Sequence, residues 1–373
     1  MKIGIDCRLW GETGIGRYIR NLVLNLQKLD QKNEYVLFVL PKNREETLHF
    51  VQNDNFKIIV ADIRWHTISE QLKFPQILSK ENLDLAHFPY HSVPIFYNKP
   101  FVLTIHDLIP YNFPTGKASA LPFFLYWLKF LAYKYVLINA AKKARKIIAV
   151  SNATKDEIID HLNVDSSKVT VAYEGVDSVI QNAKIKNQNY NSKFKIKDYF
   201  LCIGNAFPHK NLERLWEAFS VFRRNDAKLI LVGKEDYFYK RLKKKAQDLN
   251  FSDRVVLLQN VSDQELTDLY RNAIALIMPS LMEGFGLPAL EAMANKCLVL
   301  ASDIPALREV CADAAIYFDP YDIKDIVMRM EEACSNDTHY YSDKKKKGLE
   351  RAKLFSWQKM AKHTLEAYNS LTL

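Results

Sequence analysis

Ala273-Ile274-Ala275-Leu276-Ile277-Met278 is an unbroken apolar run. It is followed by Pro279-Ser280-Leu281-Met282-Glu283-Gly284-Phe285-Gly286 and then by Leu287-Pro288-Ala289-Leu290-Glu291-Ala292-Met293-Ala294. The first segment does not alternate, so it reads as a strand covered on both faces, as in a parallel sheet. The last reads as a helix, with Pro288 in the first turn, where proline is tolerated. A glycine-bearing turn between the two leaves the amides of Phe285, Gly286 and Leu287 at the positive end of a helix, an arrangement suited to a diphosphate. Glu283 is placed to accept hydrogen bonds from sugar hydroxyls, and Glu291, one turn into the helix, from a ribose diol. One glutamate there would be no more than an acidic residue favoured by the helix dipole. Two of them flanking Gly-x-Gly-Leu-Pro after a buried strand make a candidate site.

The same alternation of apolar run and helical pattern extends outward in both directions. Toward the amino terminus, strands are expected near Lys2–Cys7, Glu34–Leu40, Phe56–Ala61, Leu83–Phe88, Phe101–Ile105, Lys146–Val150 and Val169–Tyr173. In the second half they are expected near Tyr199–Gly204, Lys228–Val232, Val255–Gln259, Ala273–Met278, Cys297–Ala301 and Ala315–Phe318. Helical stretches between them supply the crossovers that parallel strands need. Ile15–Leu29 shows the pattern, with Ile15, Ile19, Leu22, Val23, Leu26 and Leu29 on one face. The polar stretch 181–193, rich in Asn and Lys, reads as a linker. The expected class is therefore α/β, with two doubly wound, Rossmann-like parallel-sheet domains. These span residues 1–185 and 195–355, with a terminal helix in 356–373 returning to the first domain. Such sheets bind ligands beyond the carboxyl ends of their strands, so the cleft between domains is the expected site.

Composition narrows the classes further. The 373 residues are 48% hydrophobic and 25% charged, which excludes a disordered or low-complexity chain and is enough for about two domains. A formal charge of +9 suits an anionic partner, but no nucleic-acid motif accompanies it, so a phosphate-bearing substrate is favoured and nucleic acid is not expected. The five cysteines lack CxxC spacing, which points to neither a disulfide framework nor a zinc site. Met1 runs directly into strand-like sequence, so no signal peptide and a cytoplasmic location are expected. Leu121–Ile138 is the most aromatic segment, and Lys129 and Lys134 interrupt it, so it does not span a bilayer, which takes about 20 apolar residues. Packing in the first domain is the plainer reading for most of it. Contact of a few aromatics and lysines with the cytoplasmic face of a membrane is the sharper one.

Further candidates lie at other strand ends. Lys210, in Gly204-Asn205-Ala206-Phe207-Pro208-His209-Lys210-Asn211-Leu212, is a point charge able to neutralise phosphate oxygens, and Asn211 reads equally as a helix N-cap. Gly14 and Gly16 are a weak dinucleotide signal because Ile19 stands where a third glycine would be; a loop approaching donor or acceptor is the alternative. His106 ends the strand Phe101–Ile105. His87 and His91 are four apart, but no carboxylate or Cys completes a metal set, so no metal site is expected. Val261 precedes Ser262-Asp263-Gln264-Glu265, which carries the pattern of a capping box.

With EGFGLPALEAMA, Ser302–Val310, the Lys210 loop, Thr13–Arg17 and Val150–Thr154 in view, nearly the whole chain resembles the family 4 retaining glycosyltransferases of the GT-B fold. Ile3-Gly4-Ile5-Asp6 with Gly14–Tyr18 is especially similar to bacterial mannosyltransferases of surface-polysaccharide assembly. The resemblance implies transfer of a hexose from a nucleoside diphosphate sugar, GDP-mannose first and UDP-sugars next, to a glycan or lipid-linked hydroxyl, without a cofactor or catalytic metal. It implies catalytic roles for His106, Lys210 and Glu283. It implies donor contacts from Gly14, Gly16, Asn205, Lys210, Val261, Glu283, Phe285, Gly286, Leu287 and Glu291. The chain departs from the pattern at His209 and Asn205, where many and several relatives, respectively, carry arginine. A non-catalytic binding protein of the same fold is the alternative from another class.

Overall fold

The computed structural model describes residues 1–114, 123–176, 196–234, 237–248, 252–335 and 338–371. The linker expected at 181–193 lies outside them. The chain divides into two compact units, one of Met1–Gly175 with Ser356–Leu373 and the other of Val176–Phe355.

In the first unit the described elements run β1 (Lys2–Asp6), α1 (Gly14–Leu29), β2 (Glu34–Val39), α2 (Arg44–Phe50), β3 (Phe56–Val60), α3 (Ile68–Lys80), β4 (Leu85–Phe88) and β5 (Phe101–Ile105). They continue with α4 (Ile109–Asn112), α5 (Phe123–Lys143), β6 (Lys146–Ala149), α6 (Asn152–Leu162) and β7 (Val169–Val171). The seven strands form one sheet in the order β3-β2-β1-β4-β5-β6-β7, and every pairing is parallel.

The second unit carries β8 (Tyr199–Ile203), α7 (Leu212–Val221), β9 (Lys228–Val232), α8 (Tyr237–Asp248), β10 (Val255–Leu258), α9 (Asp263–Asn272), β11 (Ala275–Met278) and α10 (Leu287–Ala294). It then carries β12 (Val299–Ser302), α11 (Pro305–Cys311), β13 (Ile316–Phe318), α12 (Ile323–Ala333) and α13 (Thr338–Ala352). Its six strands are again all parallel, in the order β10-β9-β8-β11-β12-β13. The order reverses between β8 and β11, so the loops after these two strands leave the sheet at its switch point, where open α/β sheets bind ligands.

The apolar runs explain both sheets. β5 and β11 are buried at every position, as strands covered by helices on both faces must be. Under the second sheet, Leu215, Trp216 and Phe219 of α7 pack with Leu229, Leu231, Ile277 and Leu300. Truncating a buried aromatic such as Trp216 to alanine costs about 3–5 kcal/mol.

The last helix, α14 (Trp357–Asn369), belongs to the first unit. It buries Trp357, Met360, Ala361, Thr364 and Tyr368, and the Tyr368 hydroxyl bonds His87 Nδ1 at 2.5 Å. Gly175 lets the chain pass this helix, because a Cβ there would lie 2.2 Å from the Trp357 nitrogen.

α5 departs from simple packing. Phe130, Leu137, Ala140 and Ala141 are buried, whereas Phe124, Leu128, Leu131 and Tyr135 are exposed at 69%, 49%, 59% and 60%. Their spacing of four, three and four residues puts these four on one stripe of the helix. The plainer reading thus holds for one face and fails for the other. Leu121 and Pro122 lie outside the described residues.

Candidate functional site

At the switch point of the second sheet, the loop after β8 and the loop after β11 are tied together by backbone and side chain. The Leu281 amide donates to the His209 carbonyl (2.7 Å). Asn211 holds the left-handed conformation (φ 57°, ψ 29°), and its buried amide nitrogen donates to the carbonyls of Pro279 (3.0 Å) and Pro320 (2.8 Å). The N-cap reading of Asn211 is therefore corrected. It occupies the cap position of α7, but its side chain staples three loops and caps nothing.

This stapling sets Lys210 against Glu283. Lys210 Nζ donates to Glu283 Oε1 at 2.7 Å, and Ser280 Oγ donates to the same oxygen at 2.6 Å. The Lys210 and Glu283 side chains are 20% and 9% exposed. Burial alone would raise the Glu283 carboxyl; the Lys210 ammonium and the two hydrogen bonds outweigh it and hold Glu283 below the ordinary carboxylate range. Oε2 of Glu283 has no partner among the described residues. Burial, helped by the Lys210 charge, pushes His209 down to about 4, so it is a neutral imidazole near pH 7. Asn205 lines a depression beside Gly204, Lys210, Met278 and Ser280.

Beyond Glu283 the chain turns into α10 through Gly286, whose φ of +104° is open to glycine and strained for other residues. A Cβ at Gly286 would also lie 2.7 Å from Leu307 Cδ2. The amides of Gly286 and Leu287 meet no acceptor among the described residues. Two backbone donors at the positive end of a helix, beside an ammonium and a carboxylate with one free oxygen, suit a phosphate group attached to a hydroxylated one. Glu291, one turn further, is 3% exposed, and its Oε2 accepts the Tyr270 hydroxyl at 2.9 Å. Val261 is half-buried ahead of α9, where Ser262 and Glu265 form the full capping box.

The first unit holds the remaining predicted residues. His106 follows β5; its Nδ1 is 3.1 Å from Glu174 Oε1, its Nε2 is 3.0 Å from the Pro89 carbonyl, and its ring stands edge-on to Tyr18 at 4.7 Å. Gly16 is explained by close approach, since a Cβ would lie 2.5 Å from the Trp10 carbonyl; Gly14 meets nothing within 4 Å. The loop that Gly16 approaches is fixed by buried Arg8, which donates to Asp6, Glu70 and the Ile63 carbonyl, while Arg20 donates to the Trp10 carbonyl. His87 uses both ring nitrogens, one on Thr104 Oγ1 (2.8 Å) and one on Tyr368.

Sequence reasoning passed over Ser280, Tyr270, Glu174 and the bonding role of Asn211. Only Ser280 carried a local signal, three residues ahead of Glu283 in the loop already singled out. Tyr270 and Glu174 reach their partners across 21 and 68 residues, which periodicity does not register.

Residues 13–179 match the family described as Glycosyltransferase Family 4, and residues 183–352 match Glycosyl transferases group 1. The chain is similar to the O-antigen chain mannosyltransferase RfbU of Salmonella typhimurium, 31% identical over 276 residues, covering 74% of this chain and 72% of RfbU. It is similar to O-antigen chain mannosyltransferase B of Escherichia coli, 26% identical over 385 residues and 96% of each chain. Among solved structures it shares the fold of Anabaena HepE in complex with UDP-glucose, with a TM-score of 0.76, 16% identity and full coverage of both chains.

Proposed function

We propose, from the premise that this chain belongs to the family 4 glycosyltransferases, that it is a retaining mannosyltransferase that needs no metal and uses GDP-mannose. The acceptor is a hydroxyl of a glycan or lipid-linked glycan in surface-polysaccharide assembly, in keeping with the names that RfbU and mannosyltransferase B carry.

The observation that carries the reading is the cluster at the second sheet's switch point. Lys210 and Glu283 are paired at 2.7 Å, next to two amides of the α10 turn that meet no acceptor among the described residues. Breaking the anomeric C–O bond loads negative charge on the departing diphosphate. Donors fixed in advance at that position lower the barrier, and removing one such donor typically costs about 2.7–4 kcal/mol. In this reading Lys210 and the amides of Phe285, Gly286 and Leu287 take the role that a divalent ion plays elsewhere. Glu291, held by Tyr270, accepts from the ribose diol, and backbone near Val261 meets the base. The acceptor hydroxyl attacks from the face the diphosphate leaves, and the departing phosphate oxygen takes its proton. In the first unit, Glu174 and Pro89 fix the His106 ring. Asn205 brings its amide group to the donor.

The exposed stripe of α5 supports a peripheral contact with an anionic membrane surface. Its four apolar side chains are continued along the stripe by exposed Lys142, and the helix carries no Asp or Glu. No described helix is long and apolar enough to cross a membrane.

The test is a thermal-shift screen against GDP, UDP and ADP and their sugars, followed by release of nucleoside diphosphate in the presence of acceptor. GDP and GDP-mannose are expected to raise the melting temperature by mass action. A larger shift with UDP-glucose would transfer the reading to a UDP-sugar donor. Binding without release would favour a non-catalytic binding protein.

A further inference from the structure

Ser280 is 1% exposed, and its hydroxyl donates to Glu283 Oε1 at 2.6 Å. The same oxygen takes the Lys210 ammonium, so Oε1 is saturated and Oε2 is left with no partner among the described residues. The two donors differ in kind. Lys210 sits on a flexible four-carbon stem, and a diphosphate beside it competes for its charge. Ser280 lies on the same short loop as Glu283, ahead of it by three residues, and donates to Oε1 from a buried position that the diphosphate does not compete for.

We infer that Ser280 is a positioning residue. Its hydroxyl fixes the Glu283 carboxylate so that Oε2 alone is presented to the hydroxyls of the transferred sugar, and it keeps that orientation when Lys210 turns to the diphosphate. This rests on the reading of the chain as a nucleotide-sugar transferase. The nucleoside diphosphate portion meets Lys210 and the α10 amides and does not depend on Ser280, whereas the sugar portion does. Loss of the hydroxyl therefore separates two affinities that a merely structural serine would move together.

The experiment compares wild type, Ser280→Ala, Ser280→Cys, Glu283→Ala and the Ser280→Ala/Glu283→Ala double variant, each checked for folding by its thermal melt. GDP affinity is measured by calorimetry, and kcat/KM is measured with whichever of GDP-mannose or UDP-glucose the wild type turns over (with UDP in place of GDP for the latter). Ser280→Ala is expected to bind the free diphosphate within about twofold of wild type and to lose at least tenfold in kcat/KM for the nucleotide sugar. Ser280→Cys, with similar shape and a weaker donor, is expected to fall between. In the Glu283→Ala background the further loss from Ser280→Ala is expected to vanish, because the hydroxyl has no carboxylate left to hold. Equal losses toward free diphosphate and nucleotide sugar would overturn the inference. So would a full tenfold loss in the Glu283→Ala background, or an active Ser280→Ala with unchanged kcat/KM. Absence of any nucleotide-sugar turnover in the wild type would instead sink the transferase reading, and the role of Ser280 with it.

Discussion

Replacing Asn211 by alanine should loosen the tie between the Lys210 loop and the Glu283 loop. Asn211 is 7% exposed and donates to the carbonyls of Pro279 at 3.0 Å and Pro320 at 2.8 Å. Pro320 keeps a second donor in Arg214 NH1 at 3.2 Å, so it is the Pro279 carbonyl that loses its side-chain donor. Leaving a buried acceptor unsatisfied costs about 1–3 kcal/mol. Alanine must also hold a φ of 57°, a left-handed backbone that adds about 1–2 kcal/mol. The sum is about 2–5 kcal/mol, concentrated at the start of α7. Because the chain divides into two compact units, a single unfolding curve is a poor readout of a local change. Hydrogen exchange in α7 reads the local term directly, and protection there should fall by about 30-fold or more. Asn211→Gly removes the same hydrogen bonds without the backbone strain, so it should be about 1 kcal/mol less damaging than alanine. Unchanged α7 protection in both variants, with unchanged GDP affinity, would refute the stapling role.

Acid should act on the first unit through His87. Burial pushes His87 down to about 3, so the folded state keeps it neutral while the unfolded chain protonates it near 6.5. Its contribution is present above pH 6.5 and is lost as pH falls toward 3. His87→Gln should therefore make stability, read from hydrogen exchange in β4, shallower by about 1.4 kcal/mol per pH unit between about pH 6 and 4; an unchanged slope would contradict the assignment. On α5, Leu128→Glu with Leu131→Glu should abolish co-sedimentation with vesicles containing anionic phospholipid while leaving turnover of a soluble acceptor intact. Equal sedimentation of wild type and variant would remove the membrane contact.

The sheets were legible because most strands are apolar runs of the right length. Tyr199–Ile203 and Ala275–Met278 are short, wholly apolar runs, the pattern of buried strands in a parallel sheet, and both are fully or almost fully buried. Edges were less legible: Cys297 and Leu298 are as apolar as a strand, yet the ladder starts at Val299, because the Cys297 amide turns back to the Ala292 carbonyl at the end of α10. The loop of Glu283 was visible from its glycines and carboxylates. What those carboxylates bond was not, since Lys210 reaches Glu283 across 73 residues, a separation that no local pattern encodes. α5 was ambiguous because apolar residues lie all round it, so sequence could not say which stripe packs and which faces outward.

Capture of a diphosphate by backbone amides and one ammonium is tested most directly by calorimetric titration of GDP into wild type and Lys210→Met, each in chelator and in magnesium. Wild type should bind with the same affinity in both buffers, and Lys210→Met should bind at least tenfold more weakly in both. Binding that appears only with magnesium, or a Lys210→Met variant that binds GDP as tightly as wild type, would contradict it.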